Sequence, residues 1–130
     1  MTSIFTQIIK GDIPSYKILE DSSCLAFLDI SPLSRGHVLV VPKQEIDYIF
    51  DIDTEEYIRL WNFAKKVAKG MKEVLECKRI GIAVIGLEVP HTHIHLVPIN
   101  DVKDINFTRP KLSFSKQEME NIARLIQEAI

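Results

Sequence analysis

Apolar residues follow two spacings along this chain, and each spacing predicts one kind of secondary structure. Short runs that are apolar, or that alternate between apolar and polar residues, are typical of strands when turn-forming residues bound them. The run after Gly36 is almost continuously apolar, which indicates a strand in the centre of a sheet. The predicted strands are Tyr16–Glu20, Cys24–Asp29, His37–Pro42, Arg79–Ile85 and His91–Pro98.

Apolar residues at three- and four-residue steps predict three helices. A short helix covers Ser3–Lys10, and a long one runs from an N-cap at Asp53 to about Glu76. A closing helix follows Ser115. Asp53 and Ser115 are each followed three residues later by a glutamate, which predicts a capping box at the start of both helices.

These elements together predict one domain over residues 1–130. Their order favours an α+β fold, with an antiparallel sheet of about five strands covered by helices on one face. The segment Asn100–Phe114 shows neither spacing, and we predict that it is a loop.

The charge composition argues against partners that bind strongly charged proteins, such as nucleic acid and anionic membranes. The chain has 16 basic and 18 acidic residues and a formal net charge of −2, so no strong field favours nucleic acid or an anionic membrane. No apolar run approaches the roughly 20 residues that span a bilayer, and Met1–Lys10 lacks a signal-peptide pattern. Cys24 and Cys77 are isolated, which favours reduced thiols and a cytoplasmic location.

The segment His91-Thr92-His93-Ile94-His95 contains three of the four histidines of the chain. Successive side chains of a strand point to opposite faces, so the three imidazoles would share one face. Thr92 and Ile94 would point to the other face, which is predicted to be the core side. Because imidazoles titrate near neutral pH and are costly to bury in a row, the cluster indicates a functional site.

Three kinds of role are consistent with this row of histidines. A metal site needs its imidazoles to converge on one ion at about 2.0–2.1 Å, whereas the ends of the row are about 13 Å apart along a straight strand. A structural role would leave three hydrogen-bonded histidines on a surface strand. Covalent or acid–base catalysis uses the spacing better, because one ring can attack phosphorus while its neighbours orient it and contact the leaving group.

The motif His91–Val97 resembles the signature of the histidine triad (HIT) family of nucleotide hydrolases and transferases, in which three histidines alternate with apolar residues. Thr92 is the position that departs from the apolar pattern. Three further segments resemble family blocks in the same order: Ile4–Pro14, Cys24–Pro32 and Gly36–Lys43. The sequence is most similar to the Hint-type branch, whose members are small purine nucleoside phosphoramidate hydrolases.

The resemblance implies a role for each of the four histidines. His93 would be the nucleophile that forms a covalent nucleotidyl intermediate, and His95 would contact the phosphate and assist the leaving group. His91 and His37 would orient and polarise His93. The implied substrates are phosphoramidates, acyl-nucleotides or dinucleoside polyphosphates, attacked at the α-phosphorus without a cofactor.

The resemblance also implies a nucleoside pocket. Asp29 would accept hydrogen bonds from the ribose hydroxyls, a role that suits a carboxylate. Phe27, Ile30 and Ile18 would form the wall of the base pocket.

The approach to the triad departs from the family pattern. An asparagine that the family usually carries upstream is lacking, and Leu87 and Glu88 stand where polar residues normally hold the phosphate. Glu88 is expected at the nucleotide site, where its charge would repel a phosphate and suit a cationic group. Glu45 stands where the family has a further histidine.

Two other functions compete with the enzyme. Because the usual asparagine is lacking and Leu87 and Glu88 replace polar residues, the chain could instead be a nucleotide-binding module with weak or no turnover. The histidines leave open a metal site. The expected partners are a small nucleotide substrate and, by resemblance to the Hint-type branch, a second copy of the chain bound through the long helix and a neighbouring strand.

Overall fold

A five-stranded antiparallel sheet forms the framework of the protein in a computed structural model, which describes residues 2–130. The strands are β1 (Lys17–Glu20), β2 (Cys24–Leu28), β3 (Val38–Pro42), β4 (Arg79–Ala83) and β5 (Ile94–Ile99). Their spatial order is β1-β2-β3-β5-β4, which places β3 in the centre, as its apolar sequence predicts. The predicted α+β fold with a five-stranded antiparallel sheet is confirmed.

Helices in the described part of the chain are α1 (Ile4–Ile9), α2 (Thr54–Val74) and α3 (Lys116–Glu128), with short 3-10 helices at Ile49–Asp51 and Val102–Asp104. Ser115 and Glu118 form the predicted capping box of α3. Asp53 caps α2 by accepting the N–H of Glu56, whose own carboxylate pairs with Arg59 along the helix. Among residues 2–130, no helix combines the length and apolar character that a bilayer crossing requires.

The last strand begins later than the sequence predicts. β5 starts at Ile94, three residues after the predicted start at His91. Pro42 at the end of β3 has no N–H with which to extend the ladder, and its carbonyl accepts a hydrogen bond from the His91 ring instead. His91 and His93 therefore lie in the segment that leads into β5.

The two faces of the sheet are covered by different helices. Ile94 and Leu96 point to the face covered by α2 and α3, where both are fully buried. His95 points to the other face and lies opposite Leu39 of β3. The predicted covering of one face holds for α2 and α3, whereas α1 packs Phe5 on the opposite face. The cluster around Phe5 consists of Leu25, Phe27, Leu39 and Val41.

A β-bulge in β1 decides which face Ile18 takes. Leu19 pairs with Ala26. Continuing that register by one residue would set Ile18 opposite Phe27, on the same face as the histidines. The bulge pairs Phe27 with Lys17 instead, and Ile18 is buried in the core beneath α2 and α3. The predicted place of Ile18 in a pocket wall is therefore wrong.

Candidate active site

The fold brings all four histidines together on the sheet face opposite α2 and α3. His37 lies immediately before β3 and His95 lies in the neighbouring β5, while His91 and His93 precede β5. Each of these residues is at most 8% exposed. The pairing of β3 with β5 thus joins His37 to His95, which are 58 positions apart in the sequence.

The main chain determines which nitrogen of His93 carries a proton. Nδ1 of His93 lies 2.8 Å from the carbonyl oxygen of His91, and a carbonyl can only accept a hydrogen bond. Nδ1 is therefore the protonated nitrogen of the neutral ring, and the lone pair lies on Nε2. That lone pair is the nucleophilic part of a neutral imidazole.

The same reasoning assigns the protons of His37 and His95. The Leu33 N–H donates to Nδ1 of His37 at 3.0 Å, so Nε2 of the neutral His37 ring carries the proton. This Nε2–H donates to Nδ1 of His95 at 3.0 Å, and the proton of neutral His95 must then be on Nε2. His37, which the resemblance predicts to orient His93, thus contacts His95 instead.

Burial keeps the rings of His37, His91 and His95 neutral near pH 7. It lowers the pKa of His37 to about 4. Burial, together with the neighbouring His37 and His93, lowers the pKa of His95 to about 3. Burial also lowers the pKa of His91, although the Pro42 carbonyl opposes that effect. The hydrogen-bond directions given for His37 and His95 therefore apply at neutral pH.

Asp29 directly follows β2 and lies beside His37 and His95. Its Oδ1 accepts the Ser31 N–H at 2.9 Å, and its Oδ2 lies 3.7 Å from Nε2 of His37. Burial raises the pKa of the Asp29 carboxyl, and the Ser31 N–H and His93 offset part of that effect. The carboxylate is oriented by the main chain and keeps acceptor positions for hydroxyl donors.

Asp29, His37 and His95 could together be considered as a cation site, because their ligand atoms all lie within 4.8 Å of one another. Ligation through Nε2 of His37 would move its proton to Nδ1, where it would confront the Leu33 N–H at 3.0 Å. Nδ1 of His95 already accepts the His37 proton. The hydrogen bonds therefore favour a proton chain over a cation at these side chains.

His91 contacts His93 through its main chain, while its ring turns toward α1. Its Nε2–H donates to the Pro42 carbonyl at 2.8 Å, and its Nδ1 accepts the Ser3 hydroxyl at 2.7 Å. The carbonyl of His91, rather than its imidazole, is therefore the group that orients His93.

The residues predicted to bind the nucleoside lie in different environments. Phe27 is buried in the cluster that α1 covers, and Ile30 is 74% exposed directly after Asp29. Ile18 lies on the opposite face of the sheet. Glu88 is exposed, and its charge contributes to the raised pKa of Asp29, so the two carboxylates lie close enough to repel each other.

Phe5 and Phe107 cover the histidines. The sequence predicts a core position for Phe5 and a loop position for Phe107, and it predicts no contact with the histidines for either. The ring centroid of Phe5 lies 4.9 Å from that of His93. The ring centroid of Phe107, from the segment between β5 and α3, lies 4.6 Å from that of His95. The apolar spacing of α1 accounts for Phe5 as a core residue, whereas the position of Phe107 within a predicted loop gives no signal of its contact with His95.

The fold and the site together define a class of small α+β proteins in which one sheet face carries a cluster of neutral imidazoles beside a carboxylate. Residues 10–102 match the family described as the HIT domain. The chain belongs to this family of nucleotide hydrolases, and both the predicted fold and the predicted family are confirmed.

Three similar proteins illustrate the relationship. The adenosine 5′-monophosphoramidase hnt1 of Schizosaccharomyces pombe is 32% identical over 132 residues, covering 100% of this chain and 99% of that protein. A HIT-like protein of Bartonella henselae involved in cell-cycle regulation, crystallised with an unknown ligand, has a TM-score of 0.87 at 28% identity, covering 99% of this chain and 96% of that one. A zinc-bound histidine triad protein of Mycobacterium smegmatis has a TM-score of 0.84 at 29% identity, with 99% and 93% covered.

Proposed function

We propose that this protein cleaves nucleoside phosphoramidates, or related nucleoside phosphate derivatives, at the α-phosphorus through a covalent intermediate on His93. The observation that carries the proposal is the hydrogen bond from Nδ1 of His93 to the His91 carbonyl, which leaves the lone pair on Nε2. Membership of the HIT family and the activity named for the Schizosaccharomyces pombe relative support the same chemistry.

The reaction has two steps. In the first, Nε2 of His93 bonds to the α-phosphorus while the bond from phosphorus to the leaving nitrogen breaks. The leaving nitrogen accepts a hydrogen bond from the Nε2–H of His95, which the chain from Leu33 through His37 holds in place, and it departs as an amine with a proton taken from solvent. In the second step water attacks the phosphorus, the His93–phosphorus bond breaks, and the proton of the attacking water returns to solvent while His95 stays neutral. The products are the amine and the nucleoside monophosphate.

Asp29 binds the ribose in this proposal. The Ser31 N–H orients its carboxylate, which lies 3.7 Å from the His37 ring, so a ribose bound there would bring the α-phosphate to the histidines. Ile30, exposed directly after Asp29, supplies apolar surface for the base, and the buried Phe27 supports that side of the site from the cluster under α1.

Glu88 favours a leaving group that carries positive charge. A second carboxylate close to Asp29 repels additional phosphates and attracts an amine. Amine-bearing nucleoside phosphoramidates and aminoacyl-nucleotides are therefore preferred over dinucleoside polyphosphates as substrates.

A nucleotide-binding module with weak turnover is the second candidate. Leu87 stands where relatives in the family hold the phosphate with a polar side chain, and it is 89% exposed. A phosphate at this site would therefore have less support from the segment before the triad. This alternative predicts nucleotide binding without a covalent intermediate.

Intact-protein mass spectrometry with adenosine phosphoramidate separates the two candidates. The enzyme predicts release of adenosine monophosphate and a transient mass increase of one nucleotidyl group, which digestion at alkaline pH maps to His93. Calorimetric binding of adenosine monophosphate without any release of amine from the phosphoramidate would support the binding module instead.

A second copy of the chain is the proposed protein partner, bound through α2 and the edge strand β4. Ile82 of β4 is 53% exposed, and a groove of about 410 Å³ beside it is lined by Trp61 and Ile80. An edge strand offers main-chain donors and acceptors to another copy. Basic side chains line the same groove, so two copies would repel each other there unless salt screens their charges. These residues are Lys65, Lys69, Lys72, Lys78 and Arg79.

A cytoplasmic location is also proposed. Cys24 and Cys77 are both free, as is usual for thiols in a reducing compartment. Burial raises the pKa of the Cys24 thiol to about 12, which keeps it protonated and unreactive.

A further inference from the structure

Three side chains from two separate segments form a hydrogen-bonded group next to the histidines. The Glu45 carboxylate accepts both the Ser3 N–H, at 2.7 Å, and the Thr6 hydroxyl. The Ser3 hydroxyl in turn donates to Nδ1 of His91 at 2.7 Å, and it accepts the Thr6 N–H at the start of α1. We refer to Ser3, Thr6 and Glu45 as the α1 clamp.

The protons of this group have one consistent arrangement at neutral pH. Nε2 of His91 faces the Pro42 carbonyl at 2.8 Å and so carries the proton, which leaves Nδ1 to accept from Ser3. The bonds from the Ser3 N–H and the Thr6 hydroxyl lower the pKa of the Glu45 carboxyl to about 2. The Ser3 hydroxyl also lies 3.3 Å from the Thr6 hydroxyl, which lies 3.4 Å from Nδ1 of His91, but the contacts of these hydroxyls with His91 and Glu45 given above are shorter. Glu45 is an acceptor only.

The α1 clamp holds both of the groups that fix the orientation of His93. It anchors the start of α1, whose Phe5 ring lies 4.9 Å from the His93 ring and 5.8 Å from the His91 ring. It also holds His91, whose carbonyl accepts the Nδ1–H of His93. A change in the clamp would therefore reach the His93 ring from two directions.

We propose that the α1 clamp is a positioning device for His93, which it holds in one orientation and one tautomer by fixing α1 and His91. This inference rests on the proposed function, in which His93 is the nucleophile. It adds three positioning residues that the triad motif does not include, and one of them, Glu45, is exposed and 42 positions from Ser3.

Kinetics of matched variants provide the first test. Glu45→Ala removes the shared acceptor, and we expect kcat to fall about 10- to 100-fold with KM changed less than about twofold, because a misoriented nucleophile slows the chemistry more than substrate binding. Glu45→Gln keeps an oxygen that accepts from both donors and should recover most of the rate. Thr6→Val and Thr6→Ser form a second pair of the same kind, and Glu128→Ala, exposed on α3, is the control.

An NMR measurement on the substrate-free protein separates this inference from the proposed function. Long-range proton–nitrogen spectra report which nitrogen of each imidazole carries a proton. We expect His93 of the unmodified protein to be protonated at Nδ1 alone, and the Glu45→Ala and Thr6→Val variants to show mixed tautomers. A single unchanged tautomer in whichever of these variants folds would overturn the clamp, even if an adduct forms on His93. Mixed tautomers in a protein that forms no adduct would support the clamp and reject the nucleophile.

Discussion

Nε2 of His37 donates to Nδ1 of His95 across 3.0 Å, and this bond assigns the proton of the second ring. Because the Leu33 N–H occupies Nδ1 of His37, the direction of the bond cannot reverse while both rings are neutral. A ring that donates a hydrogen bond to a leaving group needs its proton on the atom that faces that group. In the proposed reaction the Nε2–H of His95 takes that role, and neither ring of the pair places a charge in a buried site.

Replacement of His93 by alanine tests the nucleophile directly. We expect turnover of adenosine phosphoramidate to fall by more than about 1,000-fold, because the variant lacks the Nε2 lone pair that attacks phosphorus. Steady-state kinetics measure the rate, and circular dichroism confirms that the variant is folded. Full activity in a folded variant would show that another group attacks phosphorus.

His37 is expected to act through the proton position of His95. His37→Leu removes the donor to His95, and kcat should fall about 10- to 100-fold. His37→Gln can accept from Leu33 and donate to His95, and it should keep more of the rate. Equal rates for the two variants, at equal folded fraction, would show that this hydrogen bond does not contribute to catalysis.

The free energy of unfolding should decrease as the pH falls from 6.5 toward 4. Burial lowers the pKa of His37 to about 4 and that of His95 to about 3 in the folded protein, from an ordinary value of 6.5. At these two residues the unfolded chain therefore binds more protons than the folded chain throughout this window, and their contribution makes acid favour unfolding. The loss should be on the order of 2 kcal/mol per histidine between pH 6.5 and pH 5.

Chemical denaturation at several pH values between 7 and 5 measures this dependence. Glu20 and Glu45 contribute little there, because hydrogen bonds hold the pKa of each carboxyl at about 2. His37→Gln should give a shallower slope, since it removes one of the titrating groups. An unfolding free energy that is independent of pH would contradict the assignment of neutral, buried imidazoles.

Phe107 is expected to shield His95 from water. Its ring centroid lies 4.6 Å from that of His95, so Phe107→Ala should admit water and move the pKa of His95 upward toward its ordinary value. Proton NMR titration of the histidine ring signals measures the shift. Val102→Ala, exposed in the same segment, is the control, and an identical titration in both variants would assign the shielding to the sheet alone.

The proposed dimer should depend on Ile82 and on salt. Ile82→Lys adds another positive charge beside a groove lined by lysines, so this variant should be monomeric at concentrations where the unmodified protein pairs. Sedimentation velocity should show stronger pairing of the unmodified protein as the salt concentration rises. Leu125→Lys, at an exposed position on α3, is the control. A monomer at every salt concentration would refute the dimer.

Features that depend on short stretches of chain follow from the sequence alone. The alternation in β5 correctly predicts that Ile94 and Leu96 enter the core and that His95 faces away from it, because side-chain direction in a strand is a local property of the backbone. The helix starts at Asp53 and Ser115 are equally local, since a cap bonds to an N–H three residues on. The resemblance to the HIT family depends on such short segments too.

Only the tertiary structure decides the face of Ile18 and the proton positions of His91 and His95. The bulge that turns Ile18 into the helix-covered core depends on how β1 pairs with β2, and one extra residue in one strand is enough to reverse a face. The proton positions of His91 and His95 depend on distant partners: Ser3 lies 88 positions from His91, and His37 lies 58 positions from His95. Spacing along the chain carries no information about such partners, because folding alone brings them together.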